Sequence, residues 1–136
     1  MNVKLDPGAF MPRVATRGDA GYDIFSPVDA VVPAMGRIVI PTGVHIELPE
    51  GTCAILKSKS GLMAKHGVVS EGLIDEPYRG QIHVIMFNHS TKDYEVRRGD
   101  KISQFIVVLV HTYELRQVDT LSETERGENG FGSTGR

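Results

Sequence analysis

The feature that most limits this chain is its punctuation: short apolar segments recur about every ten residues, each closed by a glycine-, proline- or asparagine-bearing turn. The segments are 22–25, 30–32, 37–40, 44–48, 52–57, 81–87 and 101–110, and the turns include Pro33, Pro41-Thr42-Gly43, Pro49-Glu50-Gly51, Asn88-His89-Ser90 and Arg98-Gly99-Asp100. Fifteen glycines and seven prolines, spread along 136 residues, leave no room for long helices. Val44-His45-Ile46-Glu47-Leu48 alternates strictly, which reads as a half-buried strand with three aliphatics on its inner face. Short strands at this spacing predict an all-β fold, an antiparallel sandwich or jelly roll, and argue against α/β. Residues 105–110 are apolar on both faces, so their strand needs cover on both sides, some of it expected from another subunit. One short helix is expected, with Ser60 as N-cap, residues 61–66 in its turns and Gly67 as its stop.

A chain of this length supports one domain and excludes a second. The body is placed at 1–118, and 119–136 reads as a flexible arm that cannot build a core of its own. Fifteen basic against seventeen acidic residues, with no basic block, make nucleic acid an unsuitable partner. The longest apolar run, 105–110, falls far short of the roughly 20 residues that cross a bilayer, so no membrane contact is expected. Residues 1–10 have no greasy stretch of the kind a signal peptide carries. The single cysteine, Cys53, fits a reducing, cytoplasmic location and reads as a buried small hydrophobe. Histidines at 45, 66, 83, 89 and 111 lack metal-ligand spacing, and His45 reads as a solvent-facing strand residue.

Three constellations could carry chemistry. Gly130-Phe131-Gly132-Ser133-Thr134-Gly135 matches G-x-G-x-x-G, but a dinucleotide site needs a following helix and only one residue remains. What survives is a set of glycine amides and two hydroxyls, near the guanidinium of Arg126, suited to an anion; the bland alternative is a solubilising tail. Lys57-Ser58-Lys59-Ser60-Gly61 puts cations and hydroxyls at a helix start, where a phosphate is favoured over a plain basic turn only with support from elsewhere. In Gly72-Leu73-Ile74-Asp75-Glu76-Pro77-Tyr78-Arg79-Gly80, Asp75 follows two aliphatics that could hold a carboxylate as a general base, and Tyr78 offers a stacking face. Seen alone, the same segment reads as a hairpin whose acids point to water rather than as a catalytic segment.

Taken together, five segments occur in one order: Ala20-Gly21-Tyr22-Asp23, Lys59-Ser60-Gly61-Leu62, Gly72-Leu73-Ile74-Asp75 through Tyr78-Arg79-Gly80, Gly99-Asp100-Lys101-Ile102-Ser103-Gln104, and Arg126-Gly127 through Gly135. With them the chain, from about residue 20 to its end, resembles the homotrimeric dUTP pyrophosphatases (dUTPases). The resemblance implies a distorted jelly-roll barrel with one short helix, assembled as a homotrimer whose C-terminal arms are exchanged between subunits. It also implies hydrolysis of dUTP to dUMP and pyrophosphate with Mg²⁺, an activity that limits uracil in DNA and supplies dUMP for dTMP synthesis. Asp75 would orient and deprotonate the water attacking the α-phosphorus. Asp23 would hold, through water, a Mg²⁺ carried mainly by the triphosphate. Lys59, Ser60, Gly61 and Gln104 would contact phosphates; Arg126, Gly132, Ser133 and Thr134 would close on the γ-phosphate end. Phe131 would stack over uracil, the backbone at Gly72, Leu73 and Ile74 would pair with its edge, and Tyr78 would pack on the deoxyribose and exclude UTP; His83 belongs to the same substrate-binding set.

The chain departs from the family pattern in several places. Lys59 stands where arginine is usual, Pro77 where aspartate is common, Asn129 where glycine is usual and His83 where lysine often occurs. The 67–72 loop offers no asparagine for uracil; Ser70 or Glu71 is expected near it. The competing readings are a dCTP deaminase of the same fold, which would release ammonia, and a nucleotide-dependent regulatory binder without turnover. Cellular, viral and phage sources all suit the pattern.

Overall fold

The computed structural model describes residues 1–130. Its described residues form eleven strands and one helix, and every strand ladder is antiparallel. In chain order they are β1 (Asn2–Leu5), β2 (Tyr22–Phe25), β3 (Ala30–Val32), β4 (Arg37–Pro41), β5 (Val44–Glu47), β6 (Thr52–Lys57), α1 (Ser60–His66), β7 (Val68–Ser70), β8 (Gly72–Ile74), β9 (His83–Asn88), β10 (Tyr94–Val96) and β11 (Lys101–Leu109). A four-stranded sheet runs β2-β11-β6-β8, a three-stranded sheet runs β4-β9-β7, and β1-β5 and β10-β3 form two ribbons. This is the expected all-β, jelly-roll-like architecture with one short helix.

The core lies where alternation placed it. Val44, Ile46 and Leu48 are buried, as are Val84 and Met86 on β9 and Ile24 on β2. Phe105 is fully buried at the middle of β11, opposite Tyr22 on one side and Leu56 on the other, with its ring stacked on Tyr22 at 5.0 Å. Beyond it the expected two-sided cover is only partly supplied by this chain: Ile106 and Val108 remain half-buried and Leu109 is 79% exposed.

Four short strands escape sequence periodicity: β1, β7, β8 and β10 have three or four residues, too few to display alternation. The 67–72 stretch, where a loop was expected, is accordingly the helix cap Gly67, strand β7 and the single residue Glu71 before β8 begins at Gly72. Residues 75–80 are not a hairpin. β8 pairs with β6 in one sheet while β9 pairs with β4 and β7 in the other, so 75–82 is a crossing between sheets.

The helix is capped by Lys59 in place of Ser60. Lys59 has extended backbone (φ −72°, ψ 125°), and its carbonyl accepts the Met63 N–H at 3.0 Å. Its side chain supplies no cap because it is directed to Asp23. Gly67 ends the helix as expected, in the left-handed region (φ 66°) where a side chain would be strained.

Phe105→Ala is expected to lower stability by about 3–5 kcal/mol, the usual cost of removing a buried phenylalanine ring. Denaturant unfolding of the full-length protein checks this, and an unchanged midpoint would show that the ring does not hold the sheet.

Candidate active site

Apart from those of the C-terminal segment, the site residues anticipated from sequence fall into two groups, towards opposite edges of the four-stranded sheet. The first gathers around Asp23 on β2, whose carboxylate is almost wholly buried. Antiparallel pairing sets Asp23 opposite Gln104 on β11, and Gln104 opposite Lys57 on β6. That register brings the turn after β6 alongside, so Lys59 donates a hydrogen bond to Asp23 Oδ1. Lys101, at the start of β11, places its Nζ 2.7 Å from Oδ2, yet Oδ2 has no aligned hydrogen-bond donor. Burial pushes the Asp23 carboxyl up, but the ammonium groups of Lys101 and Lys59 outweigh it and hold the group below the usual aspartate range.

Gln104 donates to the Ser58 carbonyl at 3.3 Å. Behind it lies a serine network that fixes the turn: Ser58 Oγ accepts from Ser70 N–H (2.8 Å) and donates to Ser70 O (3.0 Å), while Ser70 and Ser103 share a hydroxyl bond of 2.9 Å. Ser60 and Gly61 are exposed on the first helical turn. Periodicity and spacing point to neither Lys101 nor this network; the only signal for Lys101 is its place inside Gly99-Asp100-Lys101.

The second group lines a hollow of about 350 Å³ between β8 and β9. Gly72, Leu73, Ile74, Asp75, Tyr78 and His83 all reach it, above an apolar floor that includes Leu56 and Ile82. β8 is an edge strand, so the sheet leaves its outer backbone N–H and C=O groups unpaired, a ready row of donors and acceptors for a planar polar ring. Asp75 is exposed and stands where this hollow meets a second one, of about 260 Å³, walled by Cys53, Glu76, Pro77 and Val110. Cys53 is buried, as expected.

Tyr78 is placed by its own segment: its N–H donates to Asp75 O (3.1 Å) and its hydroxyl to Gln81 O (3.1 Å). A Cβ at position 80 would overlap the tyrosine ring, so glycine there leaves the ring its place. Pro77 costs this turn no hydrogen bond, because the donor is the Tyr78 N–H. Of the two residues expected to replace the missing asparagine, Glu71 lines the hollow and pairs with Lys57 (2.9 Å), whereas Ser70 is buried in the serine network. His83 is exposed at the rim, with Nδ1 3.1 Å from Gln81 O.

Arg126 and Asn129 belong to a segment, 111–130, that is exposed throughout. Arg126 Nε donates to Asn129 O at 3.0 Å, and the Gly127 N–H bonds to Thr124. Phe131, Gly132, Ser133 and Thr134 lie outside the described residues.

Among the described residues no group of three or more His, Cys, Asp or Glu forms a metal cage. Nor, among the described residues, is any helix long and apolar enough to cross a membrane. A larger hollow, about 440 Å³, opens at the end of α1 beside Lys65, His66 and Lys92, but none of the anticipated site residues reaches it.

Comparison with known proteins bears on this arrangement. The family model described as dUTPase matches residues 8–135. The deoxyuridine 5'-triphosphate nucleotidohydrolase of Arabidopsis thaliana is 48% identical over 97% of this chain and 80% of its own length. That of Paramecium bursaria Chlorella virus 1 is 44% identical over 97% and 94%. The structure of Staphylococcus bacteriophage 80alpha dUTPase with dUpNHpp superposes with a TM-score of 0.92 at 33% identity, covering 99% of this chain and 98% of that one. In the dUTPase of phage phi11, 30% identical with a TM-score of 0.81 over 88% of this chain and 96% of that one, a structural Mg(II) ion is coordinated.

Because the native pKa of Asp23 lies below its unfolded value, near 3.9, its ion pairs stabilise the fold above that value. That contribution is lost as pH falls through the lowered native pKa. With one ammonium removed in Lys101→Met, acid destabilisation is expected to set in at higher pH than in the parent. Denaturant unfolding across the acid range checks this; coincident acid limbs would show that Lys101 does not hold the carboxylate.

Proposed function

The chain belongs to the dUTPase family and is a dUTP nucleotidohydrolase, and on that premise we propose that water attacks the α-phosphorus of dUTP with Asp75 as general base. The observation that carries this reading is the hollow beside β8, where Asp75 borders a slot with an apolar floor and an unpaired backbone edge. Uracil pairs with the free backbone groups at Gly72, Leu73 and Ile74. The ring of Tyr78 packs on the deoxyribose and leaves no room for a 2′-hydroxyl. A cytosine would leave buried donors and acceptors mismatched, which is costly.

The triphosphate is assigned to the other group. Lys59 uses one of its three N–H donors on Asp23 and retains two for phosphate. Exposed Ser60 and Gly61, with Gln104, complete the contacts. Asp23 suits a divalent cation carried by the nucleotide: its carboxylate is held ionised by Lys59 on Oδ1 and Lys101 on Oδ2, and a metal-bound water would take the place of one of those contacts. Mg²⁺ bound there would offset negative charge on the phosphate oxygens.

Geometry within one chain supports a shared site. β2 and β8 stand three strand spacings apart, about 14 Å, so Asp75 is beyond hydrogen-bond reach of the Asp23 group of its own chain. A homotrimer in which one chain's β8 segment faces another's Asp23 group brings the two together. Residues 119–136 then form the arm that closes the site, with Arg126, Gly132, Ser133 and Thr134 on the triphosphate and Phe131 over uracil. Tyr113, Leu115 and Leu121 are more than 80% exposed on the chain leading into that arm, which is apolar surface that a neighbouring subunit would cover.

Product analysis with dUTP, dCTP, dTTP and UTP in parallel, with and without Mg²⁺, tests the reading. Ammonia from dCTP would favour the deaminase alternative, and binding without turnover the regulatory one. Asp75→Asn is expected to bind dUTP and lose about 10²–10⁴-fold in kcat; unchanged turnover removes Asp75 from the role. Deletion of residues 127–136 is expected to abolish most hydrolysis while sedimentation still reports a trimer, and a fully active truncation would exclude closure by the arm.

A further inference from the structure

The segment that carries Asp75 and Tyr78 is tied to the barrel at several places. At one end Gly51 N–H donates to Glu76 Oε2 (2.8 Å), and at the other Ile82 N–H donates to Val44 O (2.7 Å). The middle tie is His45 on β5. Its Nδ1 lies 2.9 Å from Arg79 O, and its Nε2 lies 3.1 Å from Asp6 Oδ2, just beyond β1. Expected to face solvent, this histidine is instead half-buried and held at both nitrogens. Arg79 is adjacent to Tyr78, and its guanidinium Nη1 folds back onto Glu76 O (2.5 Å) and Tyr78 O (3.1 Å), so a pull on Arg79 is felt by the whole turn.

Both partners of His45 are acceptors: a peptide carbonyl always, a carboxylate at neutral pH. A neutral imidazole has one N–H and one lone pair, so in either tautomer a lone pair would face an oxygen. Only the imidazolium satisfies both contacts. We propose that protonated His45 is a positioning residue that holds the Asp75–Tyr78 segment in register with the barrel, and that its deprotonation loosens substrate capture.

The charges around the ring are mixed. Lys4, its cross-strand neighbour on β1, opposes protonation. Asp6 favours it, and so does the Arg79 carbonyl. Glu47, two residues along β5, contacts the Arg79 guanidinium at 3.8 Å, and Glu76 lies on the same segment. The balance raises the His45 pKa, with the Arg79 carbonyl as the largest cause and Asp6 next. A raised pKa means that the clamp is complete below the ordinary value of about 6.5 and is lost as pH rises through the higher folded value.

The inference rests on the substrate role proposed for residues 75–80, so the test has one arm without nucleotide. In the full-length assembly, NMR titration of the His45 ring is expected to give a pKa above about 6.5, lowered in Asp6→Asn. Exchange protection of the Tyr78 amide, which donates to Asp75 O, is expected to fall across the same titration. A ring pKa at or below the ordinary value, or amide protection indifferent to pH, overturns the clamp whatever the enzyme's substrate.

In the second arm, KM for dUTP is compared between the parent and His45→Gln, which can donate one bond at every pH. The parent is expected to have a KM about two- to fivefold lower at about pH 6, the range spanned by a part-exposed ion contact, and the two are expected to converge by about pH 8.5. A ratio independent of pH would assign His45 a purely structural role and overturn the proposal. If the first arm succeeds and dUTP is not hydrolysed, the failure belongs to the proposed function.

Discussion

The pairing of β11 with both β2 and β6 is the constraint from which the rest of the molecule follows. One nine-residue strand joins residues 22–25 to residues 52–57, segments that are distant in sequence. Its ladder sets Asp23, Gln104 and Lys57 in a row across three strands, which delivers Lys59 and Lys101 to a carboxylate that could not be buried alone. Phe105, one residue further along, anchors the same row from the core side. Stability and site geometry therefore share one ladder.

The edges of that sheet differ in kind. At β2 the edge is closed by charge and by the Arg13–Asp23 bridge; at β8 it is open, with free backbone groups beside an apolar hollow. An open edge is normally a hazard for aggregation, and a strand of three residues that abuts a ligand-sized hollow limits it. The span between the edges separates the carboxylate assigned to proton abstraction from the residues assigned to phosphate. A single chain thus presents two half-sites, which the proposed homotrimer would bring together.

The residues that depart from the family pattern sit in chemically distinct places. Lys59 and Lys101 approach different oxygens of Asp23, so two point charges act on one carboxylate, without the rigid fork a guanidinium would bring. Pro77 sits in a turn whose hydrogen bond it does not interrupt. Glu71 borders the hollow and is partly neutralised by Lys57.

By itself the sequence determined the strands long enough to alternate, the turns that separate them and the residue types available for chemistry: Val44, Ile46 and Leu48 face the core as their spacing requires. Five ordered motifs were enough to place the chain in its family. The tertiary structure alone decided which strands pair, that β8 is an edge, that 75–82 crosses between sheets, that Asp23 lies between two lysines, and that His45 meets acceptors on both sides. The physical reason is range. Periodicity and turn chemistry are local and are written into successive residues, whereas strand pairing and ion pairing join residues far apart in the chain, such as His45 with Arg79 and Asp23 with Lys101, and depend on the packed whole.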